Sequence, residues 1–195
     1  MIKFLRRSQP QDPGLSEQNL QHYEVLRVPN TKELDIPAIT RAVLKKFEIL
    51  QNKQKKTKLL KTIARLQQPW LPAVLLELLS DPCQEIRDIV VKELAARDDW
   101  PVQMAYQKLT LAPWYVKSSA LRILSLKKCA DAVRHIKLVL KDPNVDVRRS
   151  AAGALGEIGG QEARALLVGM AKDKNLYVRK AAQEALEKVS DLKFS

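Results

Sequence analysis

The strongest constraint on this chain is an internal repeat. Four segments align by eye: Asp81-Pro-Cys-Gln-Glu-Ile-Arg87, Leu111-Ala-Pro-Trp-Tyr-Val-Lys117, Asp142-Pro-Asn-Val-Asp-Val-Arg148 and Asp173-Lys-Asn-Leu-Tyr-Val-Arg179. The cations that end them are spaced by 30, 31 and 31 residues, and a further 31 back from Arg87 lies Lys56. With that cation as position zero, positions −1, +3 and +7 share one stripe of an α-helix, because four residues make nearly a full turn. They read Lys55, Leu59, Ile63; Ile86, Val90, Leu94; Val116, Ala120, Leu124; Val147, Ala151, Leu155; and Val178, Ala182, Leu186. Lys55 alone breaks the apolar pattern.

Another amphipathic segment precedes each of these helices, as in 72–79 and 132–140, and Gly159-Gly160 and the Asp-Pro pairs punctuate the joins. The reading is five helical hairpins, at about 35–67, 69–97, 99–127, 129–158 and 160–190. A hairpin of some 30 residues cannot bury its own apolar face, so stacking must create the core. The 195 residues contain only 6 Gly and 5% aromatics, which argues against barrels, sandwiches and Gly-rich nucleotide loops.

The run Asp142-Pro-x-x-x-Val-Arg148, followed by Ala-Ala-x-Ala-Leu-Gly-x-Ile-Gly159, resembles the HEAT repeat, in the short Gly-punctuated form of bilin-lyase-like proteins. The likeness is strong over 129–190, good over 69–127, only periodic over 35–67 and absent before residue 34. It implies an all-α fold: a right-handed α-solenoid of about five stacked HEAT-type hairpins, with the second helix of each lining a concave face. It also implies that the Asp and Arg of each turn form a structural ladder, here Asp81/Arg87, Asp142/Arg148 and Asp173/Arg179, tying neighbouring repeats by charge-assisted hydrogen bonds. Lys56 and Lys117 have Leu50 and Leu111 at the acid's position, so they are expected to lack a ladder acid and to be free for a ligand.

Residues 1–34 are expected to form a separate N-terminal arm before a solenoid domain over 35–195. Pro10, Pro13, Gly14 and the polar run around them argue against an ordered core before about residue 19, and 20–28 reads as one short helix. The arm is either a frayed cap or a docking element, with Met1, Ile2, Phe4 and Leu5 beside Lys3, Arg6 and Arg7. No apolar run reaches the roughly 18 residues of a membrane span, and charge interrupts the opening before a secretory apolar region forms. With only two cysteines, Cys83 and Cys129, the chain reads as a cytoplasmic protein.

The formal net charge of +12 is local rather than general. Residues 35–67 carry 9 basic and 2 acidic residues, a net +7, whereas 68–98 carry 3 and 6, a net −3. Lys53, Lys55, Lys56, Lys58, Lys61 and Arg65 share one helix with no acid. Like charges three or four residues apart repel on a helix, which points to an external anion, or else to a solvated end face. Lys61, Lys92 and Arg122 form a column five after zero that should enter the groove, and Tyr115 beside Lys117 and Arg122 completes the expected contact surface. Trp70, Trp100 and Trp114 are expected to pack between repeats, Trp114 because it aligns with Val145 and Leu176.

Reaction chemistry is not expected. His22 and His135 have no ligand spacing around them, the cysteines match no zinc pattern, and no phosphate loop or nucleophile elbow occurs. No His-Glu pair supports the iron site of HEAT-type deoxyhypusine hydroxylases. The expectation is a scaffold with no catalytic residues, no metal and no cofactor, which binds an acidic protein partner through a basic groove. Binding of nucleic acid by the same track is the alternative. A HEAT-like DNA glycosylase or a bilin-lyase-like protein is a more distant one.

Overall fold

The computed structural model describes residues 35–191, apart from Gln67, Asp99 and Leu111. The expectations for the N-terminal arm fall outside the described residues. Ten α-helices follow one another with no strand among the described residues: α1 (Ile36–Ile49), α2 (Lys53–Ala64), α3 (Leu71–Leu78), α4 (Gln84–Ala96), α5 (Met104–Gln107), α6 (Trp114–Leu126), α7 (Ala132–Ile136), α8 (Val145–Ile158), α9 (Gly160–Met170) and α10 (Leu176–Asp191). In chain order they fall into the five expected hairpins, and the described residues form an all-α solenoid.

Local chemistry sets the starts of the second helices. Asn52 and Asn144 cap α2 and α8 by accepting main-chain N–H bonds, from Lys55 and from Asp146 and Val147 respectively. Asn175 does the same for Tyr177 at the start of α10. Gly159 separates α8 from α9 with φ 73° and ψ −165°, a conformation closed to residues with a side chain. The first helices are less regular. The amphipathic run 132–140 is α-helical only to Ile136 and then tightens to a 3₁₀ turn over Lys137–Val139.

Each even-numbered helix packs on the next, α2 on α4, α4 on α6, α6 on α8 and α8 on α10, so the second helices form one continuous layer. The −1/+3/+7 stripe is its core. Ile86, Val90, Leu94, Ala120, Leu124, Val147, Ala151 and Leu155 are fully buried, whereas Lys55 is exposed at the open end of the layer. At ~25 cal/mol per Å² of apolar surface removed from water, this stripe holds one hairpin to the next. Gly156 allows the closest approach, because a Cβ there would stand 2.7 Å from Ala185 Cβ and 2.9 Å from Ala185 Cα.

Trp70 and Trp100 are buried, and Trp100 Nε1 donates to the Leu94 carbonyl of the preceding hairpin at 3.0 Å. Trp114 is different. It is 48% exposed and stands edge-on to Tyr115, and its alignment partner Leu176 is 50% exposed. Their column lies at the rim of the second-helix layer, two residues before the first position of the core stripe, so equal apolarity there does not mean burial.

Candidate binding groove

The turns before α4, α8 and α10 share one geometry. Asp81, Asp142 and Asp173 each use Oδ1 to accept the main-chain N–H two residues on, from Cys83, Asn144 and Asn175, at 2.8–2.9 Å. The cation six residues later reaches back to main-chain carbonyls. Arg87 Nη1 donates to the carbonyls of Asp81 and Pro82, Arg148 Nη1 to those of Asp142 and Pro143, and Arg179 Nη1 to those of Asp173 and Lys174. Within a repeat, then, the Arg meets the Asp through its backbone.

The charge-to-charge contact runs between repeats. Lys56 Nζ donates to Asp81 Oδ2 at 2.6 Å, Lys117 Nζ to Asp142 Oδ2 at 2.7 Å, and Arg148 to both oxygens of Asp173 at 2.8 and 3.1 Å. This corrects the expectation that Lys56 and Lys117 lack a ladder acid: the acid that meets a cation comes from the following repeat, 25 residues on. Arg148 holds the Asp173 carboxyl below its ordinary range, and the Asn175 N–H adds to the effect. Burial would raise the Asp142 carboxyl, but the bonds from Lys117 and the Asn144 N–H outweigh it, and it too is lowered.

Arg87 is the exception. Six residues before Lys117 the sequence has Leu111 instead of an acid, and among the described residues no carboxylate meets Arg87. Its guanidinium lies over the Tyr115 ring instead, 4.9 Å from the centroid.

At that position a groove of about 560 Å³ opens along α4, α6 and α8. Arg87, Arg122 and Arg149 line it with Trp114, Tyr115 and four serines, among them Ser118, whose Oγ is buried with no hydrogen-bond partner. Carboxylates are interleaved: Arg122 pairs with Asp88 at 2.6 Å, Arg149 with Asp146 at 3.1 Å, and Glu157 with Lys188 at 2.6 Å. The lining thus holds three arginines and three acids, two of the arginines paired, and this stretch of the groove is charge-balanced rather than broadly basic.

The unpaired positive charge lies on α2. Lys55, Lys58, Lys61 and Arg65 are exposed, and none meets an acid among the described residues; Lys92 on α4 is likewise exposed and unpaired. Lys53 pairs with Glu85 of the next hairpin at 2.6 Å, which raises its pKa. The structure therefore separates the expected contact residues into three sets: Lys56 and Lys117 in the ladder, Tyr115 and Arg122 in the groove, and the remaining α2 cations with Lys92 on an open face.

Residues the repeat alignment did not single out also act here. Ser118, Ser119, Arg149 and Ser150 occupy the first and second places after the cation, columns whose polarity was visible but whose direction was not. Lys127 bonds the carbonyls of Ala95 and Arg97 at the end of α4, and Arg97 reaches the Ala64 carbonyl at the end of α2, so a cation from each following hairpin closes a helix terminus. His135 stacks on Tyr106 with centroids 3.9 Å apart, and the Tyr106 hydroxyl lies 3.3 Å from Cys129 Sγ. Burial, then that contact, pushes the phenol's pKa upward. No group of three or more His, Cys, Asp or Glu side chains able to hold a metal occurs among the described residues. No described helix is long and apolar enough to cross a membrane.

These features define a helical-repeat protein whose repeats are tied by an interlocking polar ladder. Residues 102–187 match the profile of HEAT repeats, and this part of the chain, from α5 to α10, is built of such repeats. Among solved structures, a crystal structure of an engineered protein is similar at 21% identity, covering 80% of this chain and 83% of that one with a TM-score of 0.42. No curated protein sequence matches the chain. HEAT repeats are helical scaffolds that commonly mediate protein interactions.

Proposed function

We propose that this chain is a non-enzymatic scaffold that binds an acidic protein partner across α2 and α4. The observation that carries this reading is the uncompensated charge of Lys55, Lys58 and Lys61 on α2 and of Arg65 at its C-cap, continued by Lys92 in the same column as Lys61. Further along the second-helix layer, Arg122 is met by Asp88 and Lys188 by Glu157 of the neighbouring repeat. Repulsion along α2 is relieved when an external anion neutralises it. The adjoining groove, with Trp114 and Tyr115, supplies the aromatic contact that gives a charged surface its affinity.

The test is a binding titration of the full chain with polyglutamate and, in parallel, with single- and double-stranded oligonucleotides, each over a range of salt. Saturable polyglutamate binding, lost in the Lys58→Glu/Lys61→Glu/Arg65→Glu variant and retained in Lys188→Glu, is expected. Binding of the oligonucleotides alone, with log K falling steeply against log salt, would reassign the same cations to phosphate recognition.

A further inference from the structure

We propose that Arg87 is an open rung of the ladder and the anchor for a carboxylate side chain supplied by the partner. This deepens the binding function proposed above and rests on it.

At each described rung with a following acid, the cation closes on the next repeat's carboxylate: Lys56 on Asp81, Lys117 on Asp142, Arg148 on Asp173. Arg87 is held as Arg148 is. Its Nη1 bonds the two carbonyls of its own turn at 2.7 and 2.9 Å, where Arg148 makes the equivalent bonds at 2.8 and 3.3 Å. In Arg148 the remaining nitrogens, Nε and Nη2, grip Asp173. In Arg87 those two nitrogens have no partner among the described residues, and the sequence has Leu111 at the repeat position that Asp81, Asp142 and Asp173 occupy in other repeats. The guanidinium is thus oriented for a bidentate carboxylate that the chain does not provide.

A second observation points the same way. The groove opens on this rung and contains the buried, unpartnered Oγ of Ser118. A buried hydroxyl without a partner costs free energy that a bound acceptor would recover. Exposed Trp114, edge-on to Tyr115, offers an apolar surface beside it. The ligand that fits is a segment with an Asp or Glu on Arg87 and an apolar side chain against Trp114. Asp88 and Asp146, which also line the groove, disfavour a dianionic phosphate more than a singly charged carboxylate.

The experiment uses the full ¹⁵N-labelled chain, titrated with a short glutamate peptide carrying one phenylalanine, with its glutamine counterpart and with a phosphoserine counterpart. The glutamate peptide should move the Arg87 Nε–H signal and the Tyr115 and Ser118 amides together. Arg87→Gln should weaken binding ~10-fold or more. Leu111→Asp should close the rung internally, raise the melting temperature and remove the response at Arg87; should that variant fail to fold, Arg87→Gln still decides the matter. Shifts confined to Lys55, Lys58 and Lys61 would overturn the anchor while leaving the basic face as the binding surface. No shift anywhere would remove both proposals. A response at Arg87 to the phosphoserine or glutamine peptide but not to glutamate would overturn the carboxylate assignment.

Discussion

Lys56 and Asp81 stand 25 residues apart in sequence and 2.6 Å apart in space, on consecutive hairpins, with both side chains largely withdrawn from water. The Asp caps its own turn with one oxygen and receives the previous repeat's cation with the other. A single carboxylate therefore couples local helix initiation to the stacking of repeats. The same arrangement recurs at Asp142 and Asp173.

The rungs should contribute unequally with the other ion pairs of the chain. The Arg148 and Asp173 side chains retain only 4% and 13% of their exposure, so Asp173→Ala leaves a buried guanidinium unpaired and should cost about 3 kcal/mol. Because repeat stability is a sum of nearest-neighbour terms, the loss should appear first as fraying of α10 in hydrogen exchange. Glu77→Ala removes the more exposed pair with Lys108 and should change stability by about 0.5 kcal/mol or less in urea denaturation. Equal effects of the two substitutions would contradict the ladder.

Acid should loosen the stack. The Asp142 and Asp173 carboxyls are lowered in the folded chain relative to about 3.9 in the unfolded one, so the unfolded state takes up protons first. Their contribution is complete above about pH 5 and is lost as pH falls through about 4 toward the folded values. Thermal melts across this range should show a falling acid limb, shallower in the Asp142→Asn/Asp173→Asn variant. An unchanged limb in that variant would show that these carboxyls are not linked to folding.

Two glycines of α8 should respond in opposite senses to alanine. Gly156→Ala drives a Cβ against Ala185 and its backbone, so α8 and α10 must separate, at about 1–3 kcal/mol. Gly153 has nothing within 4 Å of an added Cβ, and Gly153→Ala should gain up to about 1 kcal/mol from helix propensity. Chemical denaturation of the two variants distinguishes packing from propensity directly.

The joins offer a similar contrast. Gly159→Ala places a side chain at φ 73° and ψ −165° and should cost about 1–3 kcal/mol. Lys128 already adopts φ 47°, so Lys128→Gly removes left-handed strain and should raise stability by about 1 kcal/mol. Melting temperatures moving in the same direction would refute this reading of the backbone.

The hairpins were legible because burial repeats with the helical period. Ile86, Val90 and Leu94 recur as Val147, Ala151 and Leu155, and a stripe of that kind leaves few other ways to hide its surface. Trp114 shows where this stops, since its column is apolar in three repeats and lies at the rim all the same. The candidate site was less legible. Arg122 is expected from its column to enter the groove as part of a basic contact surface, and it lines the groove paired to Asp88.

What the sequence determined by itself was the unit: its length, its two helices, its capped turn and its apolar stripe, all of which depend on residues within about one repeat of each other. What only the tertiary structure decided was the pairing of charges. Lys56 and Lys117 have no acid in their own turn, yet both are neutralised, because stacking brings the next turn's carboxylate to each of them. Electrostatic partnership depends on separations of a few ångströms between side chains from different hairpins, and these are set by packing rather than by spacing along the chain.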